Sequence, residues 1–511
     1  MQVQLMFPDT QYRPTQDIEP QAADLLTDLQ LEDVLQTMAN GDKLIYQLAR
    51  YTLVHPLTDV TTIRYRQQVL RDCLSLPDET AALYDLCTRA LRTERSIYIG
   101  FIRSSPSAIL HRARTVLGQL VPFLQELEEF ARQQLPQVRS DGMRSLYSGL
   151  IEDLDEQFFA EAQDHLRRLA FRDGTIIGRR LGPGNSGVDD VLHPPEREPW
   201  AERIGISTKN SLSYQIPARD EAGAEELSAI EGRGLNQVAN ATAQAADFLR
   251  GFFEFLHREI GFYLGCVNLH RRLTALSQPM CFPEILEEGT DLLRGSEVYD
   301  PHLPLSGERQ VIRNEVGPGA RSGIVITGAN SGGKSTLLRA IGVAQLMTQA
   351  GMFAPAYAWS ARPAPTIFSH FAREEDSGMV GGRFFDELRR LSAIVEHTRP
   401  GGMLLMNETF AGTNEAEAAD LGADVFGALR ERHVSVFLVT HNFEMAGRLV
   451  ANDDSLLSLR AERLESGRRS FRLLPAEPLP TSFGKDIYER LRPWPYDAEE
   501  TMSTAQPGGS V

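Results

Sequence analysis

Gly323-Ile324-Val325-Ile326-Thr327-Gly328-Ala329-Asn330-Ser331-Gly332-Gly333-Lys334-Ser335-Thr336 is an apolar run, a glycine-rich turn and the start of an amphipathic helix. The order predicts a buried strand feeding a G-x-x-x-x-G-K-S turn, the phosphate-cradling P-loop. Gly328, Gly332 and Gly333 let successive backbone N–H groups curl around one anion, and the helix adds its positive end. The nucleotide-binding set read from the pattern is Gly328, Ala329, Asn330, Ser331, Gly332, Gly333, Lys334, Ser335 and Thr336. In it Lys334 reaches the β- and γ-phosphates, Asn330 contacts the γ-phosphate, and Ser335 presents its hydroxyl to Mg²⁺. The chain has four lysines among 52 Lys+Arg residues, and one of them is Lys334. The expected ligands are therefore ATP or GTP, and Mg²⁺.

A phosphate cradle alone hydrolyses nothing. Met403-Leu404-Leu405-Met406 is a second apolar run, and it ends at Asn407-Glu408. A core strand there sets residue 407 beside the Mg²⁺, through water, and Glu408 beside the γ-phosphate, where a carboxylate can orient and polarise the attacking water. Most P-loop ATPases carry aspartate at the position of Asn407; an amide offers a dipole in place of a charge, so weaker Mg²⁺ affinity or slower turnover is expected. Val436-Phe437-Leu438-Val439-Thr440-His441 is a third such run, and a histidine at its end can hydrogen-bond the γ-phosphate or the lytic water. The expected catalytic set is Glu408, His441 and Lys334.

At 511 residues the chain calls for two to four domains. No window approaches eighteen uninterrupted apolar residues, and the start Met1-Gln2-Val3-Gln4-Leu5 lacks the features of a signal peptide, so a soluble, cytoplasmic protein without membrane contact is expected. Cys73, Cys87, Cys266 and Cys281 show no metal-ligand spacing and read as buried thiols. The net charge of −17 argues against nonspecific coating of nucleic acid, although a local arginine stripe still acts within a Debye length of its phosphates.

The chain pattern divides into a polar tail over 1–18, a helical region over 19–174, an irregular insert over 175–234, a long helix over 235–278 and strand–helix alternation over 279–492. Residues 493–511 read as disordered. The insert opens near Arg167, Arg168, Arg172, Arg179 and Arg180, contains the breakers Gly182-Pro183-Gly184 and His193-Pro194-Pro195, and alternates like a strand over Ser211–Ile216. Two helical segments flanking it suggest an outgoing and a returning arm with a tip.

With these three runs in hand, the full strings resemble the MutS family. The first is similar to that family's I-T-G-P-N-x-G-G-K-S-T, with Ala329 in place of proline. Ala344-Gln345 followed by Gln349–Ala356 resembles A-Q-x-G-x-x-V-P-A, Asn407–Asn414 resembles D-E-x-x-x-G-T-S, and Thr440-His441-Asn442-Phe443-Glu444 matches T-H-x-F-E. Upstream, Asp59–Asp72 is similar to a segment of the family's core domain.

The resemblance implies a multidomain protein: an α-helical core and lever region with a short clamp-like insert, followed by an α/β P-loop, ABC-type ATPase domain. It implies ATP and Mg²⁺ as cofactors, a homodimer paired head to tail through the ATPase domains, and binding to double-stranded or branched DNA. Each protomer's signature segment, around Ser377–Glu387 with Gly382, Arg383 and Glu387, would face the partner's γ-phosphate. The family commonly supplies serine or threonine there, and Arg383 is the candidate substitute. The sequence leaves no room for the family's N-terminal mismatch-reading domain, Phe282-Pro283-Glu284 is out of place as its wedge motif, and no nuclease-like tail is expected. An ATP-gated dimeric clamp of the mismatch-repair or DNA-structure-recognition type is the leading expectation. A nucleotide-gated module that holds a protein partner and no DNA is the alternative.

Overall fold

The computed structural model describes residues 2–15, 18–97, 105–171, 174–185, 187–193, 215–217, 219–286, 291–308, 310–317, 319–373, 382–410, 412–464 and 469–479. These fall into two units. One draws on 1–16, 36–51 and 61–271, the other on 17–35, 52–60 and 272 onward. The helical 19–174 region expected from sequence is thus shared between both units. Residues 493–511, Ser211–Tyr214 and Arg172 lie outside the described residues.

The first unit is mainly helical. Its long elements are Val60–Ser75, Pro77–Ser96, Pro106–Gln134, Asp141–Asp153, Glu156–Arg168 and Glu221–Ala275. Ser105, Ser140 and Asp155 cap three of these by accepting from the N–H groups of Ala108, Met143 and Phe158, which fixes where each helix begins. Pro106 at a first helical turn strengthens the first start. The last helix runs 55 residues, about 80 Å, and begins well before position 235. The reason for the difference is local. Gly234, where the insert was expected to end, sits inside the helix, and a side chain there would strike Ile177. Ile177 belongs to a hairpin of β1 (Ile176–Leu181) and β2 (Gly187–His193) whose base packs on Leu110, Leu235 and Ala239.

The N-terminal residues correct a second expectation. The segment expected to be a flexible tail is fastened to the first unit, with Leu5, Met6 and Tyr12 buried. Glu259 Oε2 accepts from the backbone N–H groups of Leu5 (2.5 Å) and Met6 (3.1 Å), while Tyr263 donates to Leu5 O and Arg66 Nε donates to Met6 O. Apolar residues at 3, 5, 6 and 12 are too few for a periodic signal, and the hydrogen-bond partners of Leu5 and Met6 lie 60 to 258 positions away.

The second unit is α/β. A four-stranded sheet has the order β3 (Glu284–Ile285), β7 (Ala358–Ala361), β4 (Leu293–Val298), β5 (Asn314–Val316). A six-stranded sheet has the order β12 (Arg469–Pro475), β11 (Leu456–Arg463), β6 (Gly323–Gly328), β10 (Ser435–Val439), β9 (Met403–Asn407), β8 (Ile367–Phe371). All neighbours in it are parallel except β11 and β12. Ile324–Ile326, Leu404–Met406 and Phe437–Val439 are fully buried, which is why these strands read as unbroken apolar runs. Helix Pro20–Asp28 packs against edge strand β8, where Asp28 accepts from Ser369 and Asp24 pairs with Arg373. Among the described residues no helix is long and apolar enough to cross a membrane. Cys73, Cys87 and Cys266 are buried free thiols and Cys281 is half-buried.

The docked N-terminal segment carries a pH signature. Burial pushes the Glu259 carboxyl up from 4.5 to about 7, against the lowering effects of its backbone donors and of Arg66. The docked state therefore binds the proton more tightly than an undocked one, and docking weakens as pH rises from about 4.5 through about 7. The shift corresponds to about 3 kcal/mol. Exchange protection of the Leu5 and Met6 amides should be greater at about pH 5 than at about pH 8, and Glu259→Gln should flatten the difference. Protection that rises with pH would contradict this assignment.

Candidate nucleotide site

The C-terminal ends of β6, β10 and β9 converge at one edge of the sheet, the place where doubly wound sheets bind ligands. From β6 the chain enters the turn Gly328–Gly333 and then helix Lys334–Gln349. Gly328 (φ +109°) and Gly333 (φ +89°) hold left-handed conformations, and a side chain on Gly332 would strike the Ala329 carbonyl and Ala461. Ser331 also has a positive φ, and Asn330 and Ser331 stand exposed at the tip of the turn. Thr336 is half-buried in the first helical turn.

The Lys334 ammonium is buried and donates to the carbonyls of Gly328 (3.1 Å) and Ala329 (3.2 Å). Burial lowers its pKa, Glu408 raises it and Arg469 lowers it. Ser335 Oγ donates to Asn407 Oδ1 at 2.9 Å, so the hydroxyl beginning one helix meets the amide ending β9. Strand β9 is not the direct neighbour of β6; β10, the histidine strand, lies between them. The pattern of apolar runs in the sequence did not contain that order.

Glu408 follows β9 with φ +55°, and its N–H donates to Val439 O of β10. Its Oε2 meets His441 Nδ1 at 2.5 Å and accepts from the His441 backbone N–H at 3.3 Å. The Glu408 hydrogen bond holds the His441 pKa above its ordinary value of 6.5, against desolvation and the nearby Lys334. The three expected catalytic residues and the Ser335–Asn407 pair thus share one site.

The signature residues divide differently. Gly382 (φ +82°) precedes helix Arg383–His397, of which Arg383 is the first residue; its side chain and residues 374–381 lie outside the described set. Glu387 is buried, and its Oε1 accepts from the Phe410 backbone N–H at 2.5 Å in the same chain. Two residues at this locality escaped the sequence reading. His370 of β8 bridges Thr409 and Glu387, and Asn314 clamps Phe471 beside Gly333 through Phe471 O and Leu473 N–H. Neither belongs to a motif; the pairing of β8 with β9 brings His370 here, and the packing of β5 against β12 brings Asn314.

The geometry suits Mg·nucleotide. The turn provides an N–H-lined concavity at a helix N-terminus, and Ser335 and Asn407 present two neutral oxygens side by side. Among the described residues no group of three His, Cys, Asp or Glu could hold a metal. A Mg²⁺ here would complete its shell with phosphate oxygens and water.

Because the His441 shift originates in Glu408, the protonated ring and the pair it forms are present below its raised pKa and lost as pH rises through it. Side-chain NMR titration should give His441 a pKa above 6.5, and Glu408→Gln should return it toward that value. An unchanged titration in the variant would show that Glu408 does not hold the ring.

Comparison with known families agrees with this architecture. The family model for the MutS2 N-terminal domain matches residues 58–276, and that for MutS domain V matches residues 324–469. The chain is 24% identical to the DNA mismatch repair protein MutS of Streptococcus gordonii over 448 residues, 78% of this chain and 51% of that protein. It is 30% identical to endonuclease MutS2 of Thermomicrobium roseum over 230 residues, 43% of this chain and 28% of the relative. It is 29% identical to MutS protein homolog 4 of Mus musculus over 159 residues, 31% of this chain and 17% of the relative. The chain spans about half the length of the first of these relatives and less of the others. With one matched region in the helical part and the other over the nucleotide site, the chain belongs to the MutS family.

Proposed function

We propose that this chain binds Mg·ATP at Gly328–Thr336 and hydrolyses it to ADP and phosphate, as an ATP-gated homodimer that acts on double-stranded or branched DNA. The carrying observation is the meeting of Ser335 Oγ with Asn407 Oδ1 within the site that also joins Glu408 to His441. In this reading Lys334 exchanges its carbonyl partners for the β- and γ-phosphates, and the turn N–H groups take the phosphate oxygens. Mg²⁺ supplies charge neutralisation between the phosphates. Both His441 contacts fall on Glu408 Oε2, leaving Oε1 to accept a proton from water. Water oxygen bonds to the γ-phosphorus, the bond to the β,γ-bridging oxygen breaks, and the electron pair leaves with ADP. His441, held protonated by Glu408, donates toward the γ-phosphate as charge accumulates there. The asparagine at 407 lowers the field on Mg²⁺ and makes slow turnover the expectation.

One observation favours the second reading, a nucleotide-gated clamp for a protein. The described arginines of the cluster at the hairpin, with Arg233, are paired internally: Arg179 and Arg233 with Asp190, Arg180 with Asp189, Arg167 and Arg168 with Asp164. Ile176, Leu181 and Val191 are exposed beside them, Leu181 to 80%.

Steady-state hydrolysis with and without duplex and branched DNA tests the first reading. Turnover stimulated by DNA and reduced about a hundredfold or more in Glu408→Ala is expected. Turnover indifferent to every DNA would contradict the DNA-coupled role. The salt dependence of DNA binding separates the two readings: phosphate neutralisation predicts log affinity falling with log salt by about 0.9 per contact. A flat dependence or no binding would favour the protein clamp.

A further inference from the structure

The turn that carries Glu408 is strained and is fastened to helix Arg383–His397, whose first turn belongs to the expected signature segment. Glu408 (φ +55°) and Phe410 (φ +66°) both hold left-handed conformations that cost non-glycine residues about 1–2 kcal/mol each. Such a turn persists only if its surroundings over-determine it. On one side the Glu408 N–H donates to Val439 O of the sheet. On the other, the turn is fastened to helix Arg383–His397. Glu387 Oε1 takes the Phe410 N–H, and the Phe410 ring is buried with Leu391 and Ile394 of that helix. A side chain on Gly412 would come within 3.2 Å of Phe384 Cβ, so the chain beyond the turn lies against the helix as well.

His370 completes the fastening. Its Nε2 lies 3.2 Å from Glu387 O, and a carbonyl can only accept, so Nε2 carries the hydrogen. Burial pushes the ring pKa down to about 4, which keeps it neutral, and Nδ1 is then free to accept from Thr409 Oγ at 3.1 Å. One ring therefore ties the residue after Glu408 to the backbone of the helix. Glu387 contributes twice, through its carbonyl and its carboxylate.

We propose that Glu387 and His370 are positioning residues for hydrolysis, which lock the Glu408–Phe410 turn to helix Arg383–His397 so that Glu408 is aligned only when that helix is seated. The inference rests on the ATPase reading and deepens it. Because the first turn of the helix, Arg383 to Glu387, belongs to the segment expected to face a partner's nucleotide, a partner that shifts the helix would shift Glu408 with it. The contacts that Glu387 and His370 make with the turn lie within the chain.

The test compares Glu387→Ala, Glu387→Gln and His370→Ala in the full chain. Alanine at 387 removes the acceptor for Phe410 N–H, whereas glutamine keeps one. Glu387→Ala and His370→Ala should lower kcat about ten- to a hundredfold with KM for ATP little changed, and Glu387→Gln should restore most of the rate. Hydrogen exchange of the Phe410 amide, measured without nucleotide, should quicken in Glu387→Ala and stay slow in Glu387→Gln. Wild-type kcat in Glu387→Ala, or equal loss of kcat in the alanine and glutamine variants, would overturn the proposal. If the wild-type protein binds ATP without turnover, the functional reading fails instead. The exchange measurement still decides the lock in that case: unchanged exchange in Glu387→Ala would overturn it.

Discussion

The parallel register of β6, β10 and β9 is the constraint on which the site depends. Val439 pairs with Ile326 on one side and with Asn407 on the other. Three strands therefore end level, and the residues that follow them emerge side by side: the glycine turn, Thr440-His441 and Glu408. A slip of one residue would send every side chain of the slipped strand to the opposite face and separate Ser335 from Asn407. The register is held by burial on both faces of the sheet. At its start, close approach keeps position 323 a glycine, since any side chain there would collide with the Val436 carbonyl.

What the sequence made legible follows from this. A strand buried on both faces is a continuous apolar run, and a chemical group at its end is the first polar residue after the run. Glu408, Asn407 and His441 could be found that way, and Lys334 and Ser335 from the glycine turn. The insertion of β10 between β6 and β9 was not legible, because strand order leaves no local mark in apolar runs. Nor were the contacts of Glu387 and His370 with the Glu408 turn, because they join elements distant in sequence; the sequence marks Glu387 only as part of the signature segment. In the helical unit two boundaries differ from the expected ones. The insert was expected to run to Gly234, but that glycine lies inside the long helix and makes room for Ile177, and the N-terminal segment is held by its backbone through Glu259 and Tyr263.

The hairpin arginines illustrate why composition alone cannot assign a partner. Exposed ion pairs contribute about 0–1 kcal/mol, so Arg180 or Arg168 could exchange its aspartate for a phosphate at little cost. Asp190 is different. Its side chain is largely buried between Arg179 and Arg233, and moving both arginines to phosphates would leave a desolvated carboxylate without compensation. Any DNA contact at this hairpin would therefore fall to the exposed pairs, and the exposed Ile176, Leu181 and Val191 offer a protein apolar contacts instead.

The central claim is that Ser335 and Asn407 form the Mg²⁺ end of a nucleotide site. The most direct measurement is the Mg²⁺ concentration needed for half-maximal ATP binding, by calorimetry, in the wild-type chain, Ser335→Ala and Asn407→Asp. The account predicts that the requirement rises in Ser335→Ala and falls in Asn407→Asp, where a charge replaces the amide dipole. A requirement unchanged by both substitutions would contradict the account, because the metal would then be held by neither residue.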